Sequence, residues 1–199
     1  MISLSKALLV LLLLGALSFS SCTYVGGSRE KLEPKIGRDS TEKGSLVFGY
    51  IDMKDAQPDL EWILLNRVEV GKEATSYPLR VKDGIFFLEN LPQGSYFLSE
   101  FGGRATNFFS AGALIVFRPY FYRVGVDAKE HRFKIESPGV YYLGTWKFKV
   151  VKGGFFERDK FDLDSAKEPG QKALVVSLLE VAKGTPWESK LRNYQKSLK

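Results

Sequence analysis

Cysteine and histidine, the side chains that most often bind metals or serve as nucleophile and base, each occur once in this chain of 199 residues. His131 precedes Arg132 at the start of a predicted strand, and nothing nearby in the sequence indicates the nucleophile and orienting acid that a catalytic base would need. A zinc site needs three or four ligands, usually histidine or cysteine, and His131 and Cys22 are too few to form one. We therefore predict no catalytic residue, no metal ion and no cofactor, and we expect that the protein is not an enzyme.

Two groups of aspartates offer oxygen ligands that calcium would accept. Neither group has the ligand spacing of an EF-hand loop, and the sequence contains no phosphate-binding loop or dinucleotide fingerprint. We interpret these acids as residues that keep loops soluble and cap helices. The two groups are Asp52, Asp55 and Asp59, and Asp159, Asp162 and Asp164.

Cys22 follows a short apolar segment at the N-terminus. Lys6 is followed by an unbroken apolar run over residues 7–17, and mostly small residues lead from there to the cysteine. This is the layout of a secretory signal sequence, and the run is too short to span about 30 Å of hydrocarbon comfortably as a permanent helix. The residues Phe19-Ser20-Ser21-Cys22 resemble the lipobox of bacterial lipoproteins, although Phe19 stands where that family usually has an aliphatic residue.

The lipoprotein resemblance implies that a signal peptide, residues 1–21, is removed and that Cys22 is the lipidation site. The sulfur would carry a diacylglyceryl group and the new amine a further acyl chain such as palmitate; several chains give stable membrane anchoring where one does not. The resemblance places the protein in the bacterial cell envelope. Thr23 stands where an inner-membrane retention signal often has aspartate, which favours the outer membrane. Plain secretion with a free thiol and an uncleaved anchor are the alternatives.

The composition after residue 21 predicts one domain with its own hydrophobic core. Of the whole chain, 44% is hydrophobic and 14% aromatic, which argues against disorder over most of its length. An acylated Cys22 leaves no thiol for a disulfide, so the core must supply the stability. The net charge of +6 predicts a solvated basic surface or attraction to anionic lipid headgroups or envelope polymers. No nucleic-acid-binding motif is present, so we expect no nucleic-acid partner. Residues 22–44 mix Gly, Pro, Ser and charges, which predicts a flexible tether.

Residues 45–163 carry the alternating pattern of β-strands. Asp83-Gly84 predicts a tight hairpin between Tyr77–Val81 and Ile85–Leu88. Several short strands with turn residues between them indicate an antiparallel Greek-key β-sandwich or an open barrel. On one later strand, a single face is predicted to hold Val140, Tyr142, Trp146, Phe148 and Val150, interrupted by Gly144, with Thr145, Lys147 and Lys149 opposite.

Residues 164–199 change to helical periodicity and predict a two-helix hairpin packed on the β domain. Asp164 or Ser165 is the expected cap of the first helix, and Gly184 ends it. Thr185 and Glu188 form a partial capping box at the start of the second helix, with Pro186 between them. The apolar stripes contain Leu174, Leu178 and Val181 in the first helix and Trp187, Leu191, Tyr194 and Leu198 in the second.

Residues 45–98 resemble a carboxypeptidase-regulatory-like, or prealbumin-like, β-sandwich module. The match lies mainly in Asp83-Gly84-Ile-Phe-Phe-Leu-Glu-Asn90-Leu-Pro-Gln-Gly94-Ser-Tyr96-Phe-Leu98, with a weaker match over 46–52. The resemblance implies a scaffold or accessory domain without catalytic residues. A short echo links Gly94, Tyr96 and Leu98 to Gly139, Tyr141 and Leu143; either a duplication or a common way of entering a strand explains it.

Clustered aromatic residues leave two functions open. We predict a lipid-anchored, non-catalytic structural or interaction module whose partner is another envelope protein. The alternative is a lipoprotein that binds glycan or peptidoglycan through exposed rings, although a core role for these rings is also expected. Rings beside a groove would favour glycan, and an apolar patch or a bare sheet edge would favour a protein. The candidate ligand-facing rings are Tyr120, Tyr122, Tyr141 and Trp146.

Overall fold

A computed structural model of the chain describes residues 31–37, 44–68, 75–105, 112–118, 132–154 and 160–198. Several residues singled out from the sequence lie outside these ranges: the signal segment, Cys22, Tyr120, Tyr122, His131 and Asp159. The predictions made for them stay predictions.

The described ranges contain nine strands followed by two helices. The strands are β1 (Ser45–Asp52), β2 (Trp62–Arg67), β3 (Ser76–Lys82), β4 (Ile85–Leu91), β5 (Gly94–Arg104), β6 (Leu114–Phe117), β7 (Arg132–Ile135), β8 (Val140–Val151) and β9 (Lys160–Ser165), and the helices are α1 (Gln171–Val181) and α2 (Trp187–Ser197). The prediction of a mainly β protein with two C-terminal helices is confirmed. The hairpin at Asp83-Gly84 joins β3 to β4 as expected, and both turn residues have positive φ.

The strands form one sheet that nearly closes on itself. Their order is β6-β5-β2-β3-β4-β1-β8-β9, and β7 also pairs with the long strand β5. The rings of Phe117 in β6 and Phe161 in β9 lie 5.1 Å apart, which brings the two ends of the sheet together. The prediction of a purely antiparallel sheet is wrong at one place, because β1 and β8 run parallel. A parallel pair needs a long connection, and the chain supplies it by passing through six other strands between the two.

The inside of the sheet is packed with apolar and aromatic side chains. Alternate residues of every strand point inward, as the two-residue period of a strand requires. The rings of Phe86 and Trp146 stack with centroids 5.7 Å apart, and those of Phe117 and Phe148 approach to 4.8 Å. This inner core holds the curved sheet in shape.

At Gly144 the side of strand β8 that faces the inner core changes. The register between β1 and β8 shifts between Phe48 and Gly49, which leaves one extra residue in β8, a β-bulge. Tyr142 therefore contacts the helices, whereas Trp146 belongs to the inner core. The prediction of a single face shared by Val140, Tyr142, Trp146, Phe148 and Val150 is wrong for this reason. Gly144 has φ of +131°, a conformation that side chains disfavour.

The two helices cover the outer face of β1 and β4 and form a second core there. Its buried residues are Ile36, Leu46, Phe48, Ile85, Phe87, Leu174, Val175, Leu178, Ala182, Trp187 and Leu191. The predicted stripes Leu174–Leu178 and Trp187–Leu191 supply the helical side, which confirms a hairpin packed on the β domain. No helix in the described ranges is long and apolar enough to cross a membrane.

The starts of the helices agree only in part with the sequence. Asp164 and Ser165 end strand β9 rather than cap a helix, because the strand continues its pairing with β8 as far as Ser165. α1 begins only at Gln171, after Gly170. At the start of α2, the Thr185 hydroxyl accepts a hydrogen bond from the N–H of Trp187 at 3.3 Å, and Glu188 accepts one from the N–H of Gly184 at 2.9 Å.

Residues 31–37 also depart from prediction. Ile36 is 4% exposed and belongs to the second core, so this part of the expected 22–44 tether is packed against the domain.

Candidate functional site

The predicted ligand-facing rings that the structure describes have structural roles. Trp146 is 5% exposed and its ring stacks on Phe86 within the inner core, where it is not accessible for stacking on a sugar. Tyr141 is half-buried, and its hydroxyl donates to the carbonyl oxygen of Ser137 at 2.7 Å. The Trp146 ring therefore belongs to the core, whereas Tyr141 packs against the core only in part, and the expectation that it faces a ligand stays a prediction.

The echo between the two Gly-x-Tyr-x-Leu segments has a local physical cause. The Tyr96 hydroxyl donates to the carbonyl oxygen of Pro92 at 2.7 Å, four residues back, and Tyr141 makes the same bond to Ser137 at 2.7 Å. In both places the phenol ties the strand to the turn that precedes it, and its ring contacts the inner core. The two segments therefore share a way of entering a strand as well as a sequence pattern.

A polar cleft at one end of the sheet is the candidate site. It has a volume of about 450 Å³ and opens to solvent. Its wall comes from the end of β1, the loop after it, the β3–β4 turn and the chain before β1. The lining residues are Lys31, Tyr50, Ile51, Asp52, Met53, Lys54, Ala56, Asp59, Leu60, Asp83 and Gly84.

The β3–β4 turn places Asp83 beside Tyr50. Asp83 and Gly84 have φ of +50° and +78°, which gives the tight turn that a two-residue hairpin favours. A Cβ on Gly84 would lie 2.6 Å from Cε2 of Tyr50, so only glycine lets the turn sit against this ring. The turn therefore lies directly against the Tyr50 ring at the wall of the cleft.

The cleft carries charges of both signs. Asp52, Asp59 and Asp83 supply carboxylates, and Lys31 and Lys54 supply ammonium groups. An oxygen of Asp52 also accepts a hydrogen bond from the backbone N–H of Lys54 at 3.0 Å, which holds the loop after β1 in a turn. Such a lining can bind a polar ligand or a peptide segment that carries both charges.

Burial, and secondarily the charge of Asp52, raise the pKa of the Tyr50 phenol above its ordinary value. Tyr50 is therefore neutral at physiological pH and offers a hydroxyl donor and a ring face. Among the described residues, no group of three His, Cys, Asp or Glu is arranged to hold a metal ion.

Sequence reasoning did not find this cleft. Asp52 and Asp59 were noted only as loop acids, and Tyr50 only as part of the prealbumin-like resemblance. The hairpin at Asp83-Gly84 was predicted, but nothing in the sequence shows that it folds back against the end of β1. The cleft depends on the pairing of β1 with β4, a tertiary contact.

Two further features of the described surface concern apolar docking and the β9 edge of the sheet. Large apolar side chains are exposed only at Val68 and Val176 in the described ranges, so no apolar patch forms there. On β9, an end strand of the sheet, the N–H of Leu163 donates to the Asp162 carboxylate at 2.8 Å and is not available to another strand. Charged side chains are a common means of protecting sheet edges.

Comparisons with protein-family models, curated proteins and solved structures gave no match.

Proposed function

We propose that this protein is a lipid-anchored protein of the bacterial cell envelope whose domain is a non-catalytic module that binds another envelope protein. The observation that carries the proposal is Cys22, the single cysteine, at the end of the apolar segment and its lipobox-like residues. Only eight residues separate it from Lys31, which already lines the cleft of the folded domain. The anchor and the candidate binding site therefore lie close together along the chain.

The chemistry of the cleft supports binding rather than catalysis. Its described lining contains aspartates, lysines and one tyrosine, residues that can form ion pairs and hydrogen bonds with a charged partner. A segment of a partner protein with basic and acidic side chains would pair with Asp52, Asp59 and Asp83 on one side and with Lys31 and Lys54 on the other. Such complementarity gives specificity and a fast encounter. The scaffold role implied by the prealbumin-like resemblance of residues 45–98 agrees with this.

The anchor is tested by the intact mass of the protein purified from detergent-solubilised bacterial membranes. We expect the mass of residues 22–199 plus the acyl chains. The matched control is Cys22→Ala, which should lack the acyl mass and leave the membrane fraction. An unmodified mass with a free thiol would contradict the proposal and leave a secreted β domain.

The binding function is tested by a photo-crosslinking amino acid at Asp59, whose side chain lines the cleft and is exposed. The control position is Val176, which is exposed on α1. We expect a discrete crosslinked protein in intact cells from position 59 only. Equal crosslinking from both positions, or none from position 59, would argue against a partner in the cleft.

One observation in the cleft supports a second function, the binding of a glycan. Tyr50, whose ring packs in part against the second core, lines the cleft together with three aspartates, and an aromatic residue beside carboxylates is a combination that can bind a sugar. This cleft, rather than the rings named from the sequence, would be the glycan site. Binding to purified peptidoglycan that is lost in Tyr50→Ala and retained in Tyr77→Ala would favour it over a protein partner.

A further inference from the structure

The chain just before β1 is held against the domain by apolar and polar contacts together. Ile36 is buried at 4% exposure among residues of β1, β4 and both helices. The next residue, Gly37, donates its backbone N–H to Oε1 of Glu89 at 3.3 Å. These are contacts of a docked segment, and a flexible linker would make neither of them.

Glu89 is itself fixed in place. Its side chain is 7% exposed, and Arg80 on the neighbouring strand β3 donates to its other oxygen at 2.6 Å. One carboxylate thus joins the sheet and residue 37, and its charge is balanced by the guanidinium. A buried carboxylate with two such partners is costly to leave unsatisfied, which favours the docked arrangement.

We propose that residues 31–37 form a docking strap that sets how far the domain can stand from its membrane anchor. The strap runs from the cleft, where Lys31 lines the wall with Asp83 and Gly84, to Glu89 farther along β4. Ile36 is its apolar anchor, and Glu89 with Arg80 is its polar clamp. Docking and the shape of the cleft are coupled, because Lys31 belongs to both.

Release of the strap would lengthen the reach of the domain about 2.5-fold. When it is docked, only residues 23–30 separate Cys22 from the domain, and such a chain spans roughly 30 Å at about 3.3 Å per residue. When it is released, the chain is free up to β1 at Ser45 and spans roughly 75 Å. The docked and released states therefore place the cleft at very different heights above an anchored Cys22. This consequence rests on the proposed lipid anchor; the docking itself does not.

Docking is tested by limited trypsin digestion of the full chain purified in detergent. Lys35 lies inside the strap, and its side chain is exposed, so trypsin can reach the residue but needs an undocked backbone to cut there. We expect Ile36→Ser to raise the rate of cleavage after Lys35 by roughly tenfold or more, because the buried apolar side chain that holds the strap is gone. A synthetic peptide with the same change corrects for its effect on trypsin itself.

A second variant, Glu89→Gln, removes the clamp from a position remote in sequence from the cleavage site. We expect it to raise the cleavage rate several-fold, while Glu180→Gln, at an exposed carboxylate of α1 outside the strap, leaves it nearly unchanged. Global unfolding would show as additional cuts in the helices, after Lys172 in α1 and Lys190 in α2. The strap proposal would be refuted if trypsin cut the wild-type protein after Lys35 as fast as it cuts the synthetic peptide. It would also be refuted if neither Ile36→Ser nor Glu89→Gln changed the cleavage rate.

The effect on reach is measured by energy transfer between a dye on Val176→Cys and acceptor lipids in vesicles that hold the acylated protein. Ile36→Ser should lower the transfer efficiency relative to the otherwise identical chain. Unchanged efficiency despite faster trypsin cleavage would refute the effect on reach. A protein that resists trypsin at Lys35 but does not bind the vesicles would support the docked strap and refute the lipid anchor.

Discussion

The second core makes a quantitative prediction about the helical hairpin. Leu191 in α2 is fully buried, and its side chain lies among residues of the sheet and α1. Replacing it by alanine removes buried methyl groups and leaves a cavity, which costs about 3 kcal/mol in the free energy of unfolding. With a urea m-value of about 2 kcal/mol per molar for a domain of this size, the midpoint should fall by roughly 1.5 M.

The matched control is Val176→Ala in α1. The Val176 side chain is 50% exposed, and alanine is the better helix former, so we expect a change within about 0.5 kcal/mol. The assay is urea unfolding followed by tryptophan fluorescence and by far-ultraviolet circular dichroism. Because β1 and β4 contribute to both cores, the two signals should report one transition. A loss below about 1 kcal/mol for Leu191→Ala, or a helical transition separate from that of the sheet, would refute the reasoning.

Three further predictions concern single residues. Gly144→Ala should lower the free energy of unfolding by about 1–3 kcal/mol, because Gly144 has a φ of +131° and the new Cβ would lie 2.8 Å from the Trp146 ring. Gly154→Ala, which has open space around the new Cβ, is the control and should leave the thermal unfolding nearly unchanged. Burial raises the pKa of Tyr50, so an absorbance titration should show one tyrosine that ionises above the ordinary range, and this signal should be absent in Tyr50→Phe. The free energy of unfolding should fall as pH rises beyond the ordinary tyrosine pKa, because the unfolded chain loses the proton of this tyrosine first. The hydrogen bond from the Gly184 N–H, and secondarily that from Arg192, lowers the pKa of the Glu188 carboxyl. The stability that Glu188 contributes is therefore present above the ordinary glutamate pKa and is lost as pH falls through the lowered value. Glu188→Gln should weaken the dependence of the melting temperature on acid pH, and an unchanged dependence would contradict this.

The sequence patterns predicted elements well wherever a local rule decides them. The Asp83-Gly84 hairpin follows from the φ values that such a turn needs, and the helical stripes around Leu174 and Trp187 follow from the 3.6-residue period. Tertiary contacts decide the rest. Gly144 looked like a gap in one apolar face, and only the pairing of β8 with β1 shows that it switches faces.

The end of β9 shows the same limit at a boundary. Asp164 and Ser165 have the composition of a helix cap, yet pairing with Lys147 and Trp146 keeps them in the sheet. Ile36 was a single apolar residue in a polar stretch, and no periodicity marks one buried side chain. The cleft was missed for a related reason, because its residues come from four separate parts of the chain.

The strap and the cleft together bear on which partner the domain would bind. Lys31 is the strap residue nearest to Cys22 in sequence, and it lines the cleft. If Cys22 is acylated and the strap is docked, the cleft lies within roughly 30 Å of the lipid headgroups, since the intervening chain spans no more. A ligand of this cleft must then approach the membrane surface. A membrane-associated protein meets that condition by its own location, whereas a glycan polymer held farther away would need the strap released. Binding of peptidoglycan that improves in Ile36→Ser would therefore favour the glycan function, and a protein crosslink at Asp59 that weakens in the same variant would favour the protein partner.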